Sequence, residues 1–218
     1  MYRHIIWDWN GTLFDDAWLC LDIINGLLSH RNLSTITADQ YERAFGFPVI
    51  EYYRKIGFTF DQEPFEQIST TFILEYERRR DSCQLRTGAI PTINQIQNAG
   101  ATQSIISASK QAFLEKAVNQ FDIRDRFSSI TGIENHHASG KFDVALNWML
   151  NSRIDPEEIL LIGDTVHDFE VAKGIGVDCI LIYSGHQDEE RLMECGTITI
   201  QSLTELREII DYSEAKHE

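Results

Sequence analysis

Apolar residues follow two rhythms along this chain. Short apolar runs bounded by turn residues predict buried strands at residues 5–7 (Ile-Ile-Trp), 159–162 (Ile-Leu-Leu-Ile) and 179–183, and shorter apolar stretches predict strands at 103–107 and 128–131 and an edge strand at 198–200. Between them, apolar positions recur at helical spacing and predict helices over 90–98, 110–119, 142–151, 168–174 and 203–210. Val144, Ala145, Trp148 and Met149 form the inward stripe of the 142–151 helix. Strand and helix alternate, which implies a parallel sheet with right-handed crossovers.

Residues 16–86 break the alternation. The pattern predicts a helix over 15–31, with Trp18, Leu19, Ile23, Leu27 and Leu28 on one face. Thr37 begins a second helix, with Gln40 as its capping-box partner. Further helices are predicted over 49–56 and 64–80, and no strand is predicted in this stretch. An all-helical insertion therefore separates the first strand from the second, with hinges near Asp15-Asp16 and Leu85-Arg86-Thr87-Gly88.

Charge narrows the partners. The formal net charge of -15 disfavours nucleic acid and anionic membrane surfaces, whose phosphates such a chain repels. It also means that any phosphate substrate must be attracted locally. The four cysteines, Cys20, Cys83, Cys179 and Cys195, show neither Cys-x-x-Cys pairs nor zinc spacing, so free thiols in a reducing compartment are expected. With no secretion-type apolar segment at its start and no run long enough to span a bilayer, a cytoplasmic protein is the expectation.

The candidate chemistry begins where the first strand ends. Asp8 follows residues 5–7, and Asn10-Gly11 then signals a turn. A carboxylate thus stands at the carboxyl edge of the sheet, where open α/β folds bind ligands. Asp164 and Asp168 stand at the end of the 159–162 strand and add hard oxygen donors suited to Mg²⁺.

Four stretches in order resemble the motifs of the haloacid dehalogenase-like hydrolases, closest to the phosphoglycolate phosphatase-like branch. Asp8-Trp9-Asn10-Gly11-Thr12-Leu13 resembles Asp-x-Asp-Gly-Thr-[Leu/Val]. Ile105-Ile106-Ser107 resembles the apolar strand ending in Ser or Thr, Lys141 the lone lysine before a helix, and Gly163-Asp164-Thr165-Val166-His167-Asp168 the Gly-Asp-[Ser/Thr]-x-x-Asp motif. The resemblance implies a Rossmann-like doubly wound α/β core over 1–15 and 87–218, with an all-helical cap domain over 16–86. It also implies a Mg²⁺-dependent phosphatase of small phosphorylated metabolites that forms an aspartyl-phosphate on Asp8. Asp8, Asp164, Asp168 and the main-chain carbonyl of Asn10 would hold the metal. Thr12, Ser107, the amide of Ala108 at a helix N-terminus, and Lys141 would hold the phosphoryl group. A monomer or homodimer is expected.

One position departs from the pattern. Asn10 stands where the family has the aspartate that protonates the leaving group and activates water, and an amide does neither. Such a loss typically costs about 10²–10⁴ in rate. It favours leaving groups that need no acid, such as acyl or aryl phosphates, or a borrowed base, or a catalytically impaired phosphate-binding module. The phosphonoacetaldehyde hydrolase branch also lacks this aspartate but needs a cap lysine, and Lys55 is the one available. Substrate choice is expected from the cap, where Arg43, Phe45, Phe47, Tyr53 and Arg54 flank the Gly46 turn that resembles its specificity segment, with Arg43 or Arg54 able to meet a carboxylate. Glu134, His136 and His137 are read as a polar rim rather than a transition-metal site.

Overall fold

A computed structural model describes residues 2–133 and 140–210 of the 218-residue chain. Glu134, His136 and His137, read as a polar rim, lie outside the described residues. Six parallel strands form one sheet: β1 (His4–Trp7), β4 (Thr102–Lys110), β5 (Ser129–Ile133), β6 (Ile159–Gly163), β7 (Asp178–Ile182) and β8 (Ile198–Ile200), in the order β5-β4-β1-β6-β7-β8. Because both faces are covered, neighbours on a strand serve opposite cores. Ile5 and Trp7 join one apolar cluster and Ile6 the other, as do Leu160 and Ile162 against Ile159 and Leu161. That is why these strands read as continuous apolar runs.

The helices α5 (Ala89–Asn98) and α6 (Gln111–Gln120) contribute to the first cluster, while α7 (Lys141–Asn151) and α8 (Val166–Ile175) contribute to the second. Ala145 is fully buried on α7, with Val144, Trp148 and Met149 packed beside it. The 203–210 stretch is a 3₁₀ turn followed by α10 (Leu206–Ile209), and a short α9 (Glu189–Met193) precedes β8.

Residues 16–86 hold α1 (Ala17–His30), α2 (Ala38–Ala44), α3 (Val49–Lys55) and α4 (Phe65–Arg79). Leu19, Ile23, Leu27 and Leu28 of α1 are buried as their spacing predicts, but Trp18 is 46% exposed, its indole nitrogen donating to the Asp15 carbonyl. Thr37 and Gln40 form the predicted capping box of α2. Thr37→Ala is expected to cost about 1 kcal/mol in urea denaturation, as loss of a helix cap usually does. The expectation of no strand within residues 16–86 is corrected by β3 (Gln84–Leu85), which pairs antiparallel with β2 (Phe14–Asp15) in a two-residue ribbon that ties the two ends of the helical segment together. Two-residue strands carry no periodicity to read.

Strand β4 also runs three residues past its predicted end at Ser107, with a register shift against β5 after Ile106. Gly132 permits this, because a Cβ there would lie 2.4 Å from the Ser109 carbonyl oxygen. Ala108 therefore sits in a strand and not at a helix N-terminus, since α6 begins only at Gln111.

Candidate active site

Strand order explains why the site forms where it does. β1 lies between β4 and β6, and the chain switches sides of β1 when it passes from β5 to β6. Trp7 pairs with both Ile105 and Ile162, so Asp8, one residue on, and Ser107 and Asp164, two residues on, emerge together at the carboxyl edge. This is the topological switch point at which doubly wound sheets bind ligands.

Asp8, Asp164 and Asp168 are all buried, with carboxylate oxygens within 4.8 Å of one another. Each is held differently. Asp168 is the third residue of α8, and its Oδ2 accepts from Thr165 Oγ1 at 2.6 Å, from the Thr165 amide at 3.0 Å and from the Asp164 amide at 3.2 Å. Asp164 accepts from the His186 amide at 2.6 Å and from Thr12 Oγ1 at 3.2 Å. The turn between Asp8 and Asp164 must be glycine at position 11: its φ is +73°, and a Cβ would lie 2.1 Å from Asp164 Oδ2.

Lys141 opens α7 and its ammonium bonds to both Asp8 and Asp168. A cation at a helix N-terminus opposes the helix dipole, so the two carboxylates must hold it there. Burial alone would lower its pKa, but Asp168 and Asp8 together raise it, and the ammonium persists. The consequences for the acids follow. Burial raises Asp8 to about 8 despite Lys141. Burial likewise lifts Asp164 to about 6. For Asp168, burial is outweighed by Lys141 and by the bonds from Thr165, and its carboxyl lies below the usual range. Among the described residues, ionising all three acids against one ammonium would leave two formal negative charges in a buried, oxygen-rich site; that crowding helps to lift Asp8 and Asp164, and it fits a hard divalent cation such as Mg²⁺.

Asn10 belongs to a second network. Its Nδ2 donates to Asp16 Oδ2 and to the Tyr76 hydroxyl, both at 2.7 Å, and its Oδ1 accepts from Ser109 Oγ at 2.6 Å. Asp16 also accepts from Tyr76 at 2.6 Å and from the Gly11 amide at 2.9 Å, and it faces His186 Nε2 at 3.4 Å. The other nitrogen of His186 meets the Tyr41 hydroxyl at 2.8 Å. Burial would make His186 less basic, but Asp16 and then Asp164 raise it to about 9. The same pairing holds the Asp16 carboxyl below the usual range against its burial. The network thus joins the sheet edge to α2 and α4.

Asp8, Asn10, Ser107, Ala108, Lys141, Asp164 and Asp168 line one cavity of about 1030 Å³ between the sheet edge and α2–α4. Ser107 is buried, its Oγ accepting from the Ser109 amide at 3.1 Å. Thr12 is placed otherwise: it is fully buried, its hydroxyl goes to Asp164, and it is not part of the lining. Nor are Arg43, Gly46 and Arg54. Arg43 is exposed, Gly46 packs against Arg191, and Arg54 pairs with Glu51 and lies over the Phe60 ring. Lys55 is exposed at the end of α3, also away from the cavity, so the lysine that a phosphonoacetaldehyde hydrolase needs is not presented there. Asp16, Tyr76, Ser109 and His186 had no motif to mark them. A lone histidine after Ser184-Gly185 carries no chemistry until the fold sets it against Asp16.

Comparison with known proteins agrees with this geometry. The chain is 23% identical over 211 residues to the protein named tyrosine-protein kinase PtkA of Mycobacterium tuberculosis, covering 94% of this chain and 72% of that one. It is 28% identical over 86 residues to a phosphoglycolate phosphatase of Vibrio vulnificus, covering 39% and 38%. The structure superposes on a haloacid dehalogenase-like family hydrolase from Streptococcus pneumoniae with a TM-score of 0.82 at 17% identity, covering 96% and 99% of the two chains. Residues 5–182, which contain all the motif positions above, match the haloacid dehalogenase-like hydrolase family. The chain is a member of that family of hydrolases.

Proposed function

We propose that the protein is a Mg²⁺-dependent phosphatase of small phosphorylated metabolites that acts through an aspartyl-phosphate on Asp8. The observation that carries this reading is the placing of Asp8: a carboxylate at the switch point, bonded to a buried lysine and facing two further carboxylates across the cavity floor. The relatives named phosphoglycolate phosphatase support the phosphatase reading.

In this reading Asp8 attacks the phosphorus atom in line with the leaving oxygen. Lys141 neutralises charge on Asp8 and on a phosphoryl oxygen, and the Ser107 hydroxyl donates to another. Asp8, Asp164 and the Asn10 carbonyl, with Asp168 beside them, would hold Mg²⁺, which supplies Lewis-acid stabilisation of the phosphoryl charge when bound. Residues 16–86 act as a cap that closes over the substrate, with the β2–β3 ribbon as its hinge.

Hydrolysis of p-nitrophenyl phosphate and acetyl phosphate tests the reading. Turnover is expected with Mg²⁺ and its loss with EDTA. Mg²⁺ at about 100 times its Kd is also expected to stabilise the fold by about 2.7 kcal/mol in thermal unfolding, since it relieves the uncompensated carboxylates.

Restoring the family's aspartate is not a simple gain in this setting. Asn10→Asp would place a carboxylate where the Asp16 carboxylate now receives an N–H at 2.7 Å. It is expected to destabilise the protein by about 1–3 kcal/mol through an unpaired, repelled buried charge. Asp16→Asn in the same chain should recover most of that loss. A double-mutant cycle by urea denaturation measures the coupling.

A further inference from the structure

The cavity is far larger than a phosphate group with a two-carbon acid requires, and its wall has a consistent character. The helical segment supplies Phe45, Phe47, Tyr52, Phe72 and Tyr76 to it, and Phe113 faces them from α6. Phe47 lines the cavity and is 49% exposed. Among the described residues, the helical segment contributes no lysine or arginine to the lining, while Glu66 and Glu77 are both part of it. Of the lining lysines, Lys141 is held by Asp8 and Asp168, and Lys110 lies over the Phe113 ring at 5.3 Å. His186 faces Asp16, so a substrate carboxylate would meet acids, rings and cations that already have partners rather than a free guanidinium.

A second, independent observation concerns the leaving group. The Asn10 amide has no proton to give, and both ends of it are already engaged by Asp16, Tyr76 and Ser109. The leaving oxygen must carry its negative charge unaided. A phenolic oxygen, with a pKa of about 10, does this far more readily than an alkoxide. The wall and the chemistry thus select the same class of molecule.

We infer that the preferred substrates are phosphate monoesters of phenols, with the ring seated against Phe47, Phe72 and Phe113, and that small carboxylated phosphates are poor substrates. This rests on the phosphatase reading above. As Asp8 bonds to phosphorus, the bond from phosphorus to the phenolic oxygen breaks and the phenolate leaves with the electron pair. Water then takes the phosphoryl group from Asp8, regenerating its carboxylate. One water proton stays on the released phosphate and the other neutralises the phenolate.

The test compares kcat/KM for 1-naphthyl phosphate, cyclohexylmethyl phosphate, 2-phosphoglycolate and acetyl phosphate, all with Mg²⁺. 1-Naphthyl phosphate is expected to exceed 2-phosphoglycolate by about 100-fold or more, the scale of discrimination by an apolar pocket. It should also exceed cyclohexylmethyl phosphate, which fits the wall but leaves as an alkoxide. Phe47→Ala, at a half-exposed position, should lower the ratio of 1-naphthyl to acetyl phosphate turnover about tenfold, mainly through KM. Ser69→Arg, which adds a cation to the lining, should move the ratio of 1-naphthyl phosphate to 2-phosphoglycolate in the same direction. Acetyl phosphate turnover with 2-phosphoglycolate equal to or better than 1-naphthyl phosphate would overturn the substrate class and leave the phosphatase standing. No turnover of any of the four would overturn both.

Discussion

Asp8→Asn is expected to lower phosphate-ester hydrolysis by on the order of 10⁴ or more, the scale on which loss of a nucleophile acts. The amide has the same shape but cannot form the acyl phosphate. The variant should remain folded. Burial pushes the Asp8 carboxyl up to about 8, so its charge is held at a cost that the amide removes, and Lys141 keeps Asp168 as a partner. In metal-free buffer, its Tm should match or exceed that of the wild type, a trade of stability against function common at active sites. Loss of activity together with a large fall in Tm would instead give Asp8 a structural role.

Lys141→Ala is expected to lower stability and activity together. The lysine is buried, and it is the cation between Asp8 and Asp168. Its removal leaves two buried carboxylates facing each other, which should cost about 3–5 kcal/mol. Activity should fall by about 10²–10³, as when one donor to a developing charge is removed. Mg²⁺ separates the two effects. Because the variant's floor carries one more uncompensated negative charge, Mg²⁺ should raise its Tm by more than it raises that of the wild type. Thermal unfolding with and without the metal reads this directly, and equal shifts would contradict the charge balance described for the site.

The sheet and most helices are legible in the sequence because their signal is local. Residues 159–162 read as a strand buried on both faces, and Leu160 and Leu161 do enter opposite cores. Thr37 and Gln40 announce a helix start through a bond three residues long. Asp8, Asp164, Asp168 and Lys141 are marked by motif, and strand order alone carries the first three to one edge. What escapes is decided by contacts distant in sequence. The β2–β3 ribbon pairs residues about 70 positions apart over two residues each. The extension of β4 depends on Gly132 making room for Ser109. Asp16 looks like a hinge residue until His186, 170 positions on, and Tyr76 arrive beside it. Arg43 and Arg54 show the converse: placed by resemblance near the specificity segment, they are carried by their helices away from the cavity.

Asn10 shows how a substitution reads differently in sequence and in structure. Beside the family pattern it is a missing acid. In the fold it is also the donor that Asp16 requires and the acceptor for Ser109. These bonds make the amide a fixed part of the site, and they tie its chemistry to leaving groups that depart without a proton.

Phosphorylation of Asp8 is the central step of the proposed reaction, and one measurement detects it. The protein is mixed with acetyl phosphate and Mg²⁺, quenched in acid during turnover, reduced with borohydride and digested, and the peptide containing residues 5–16 is sequenced by mass spectrometry. Reduction converts a phosphorylated aspartate to homoserine, and that conversion is expected at position 8, absent without Mg²⁺ and absent in Asp8→Asn. Turnover accompanied by an unmodified Asp8, or by conversion at Asp15, Asp16, Asp164 or Asp168 in its place, would contradict it.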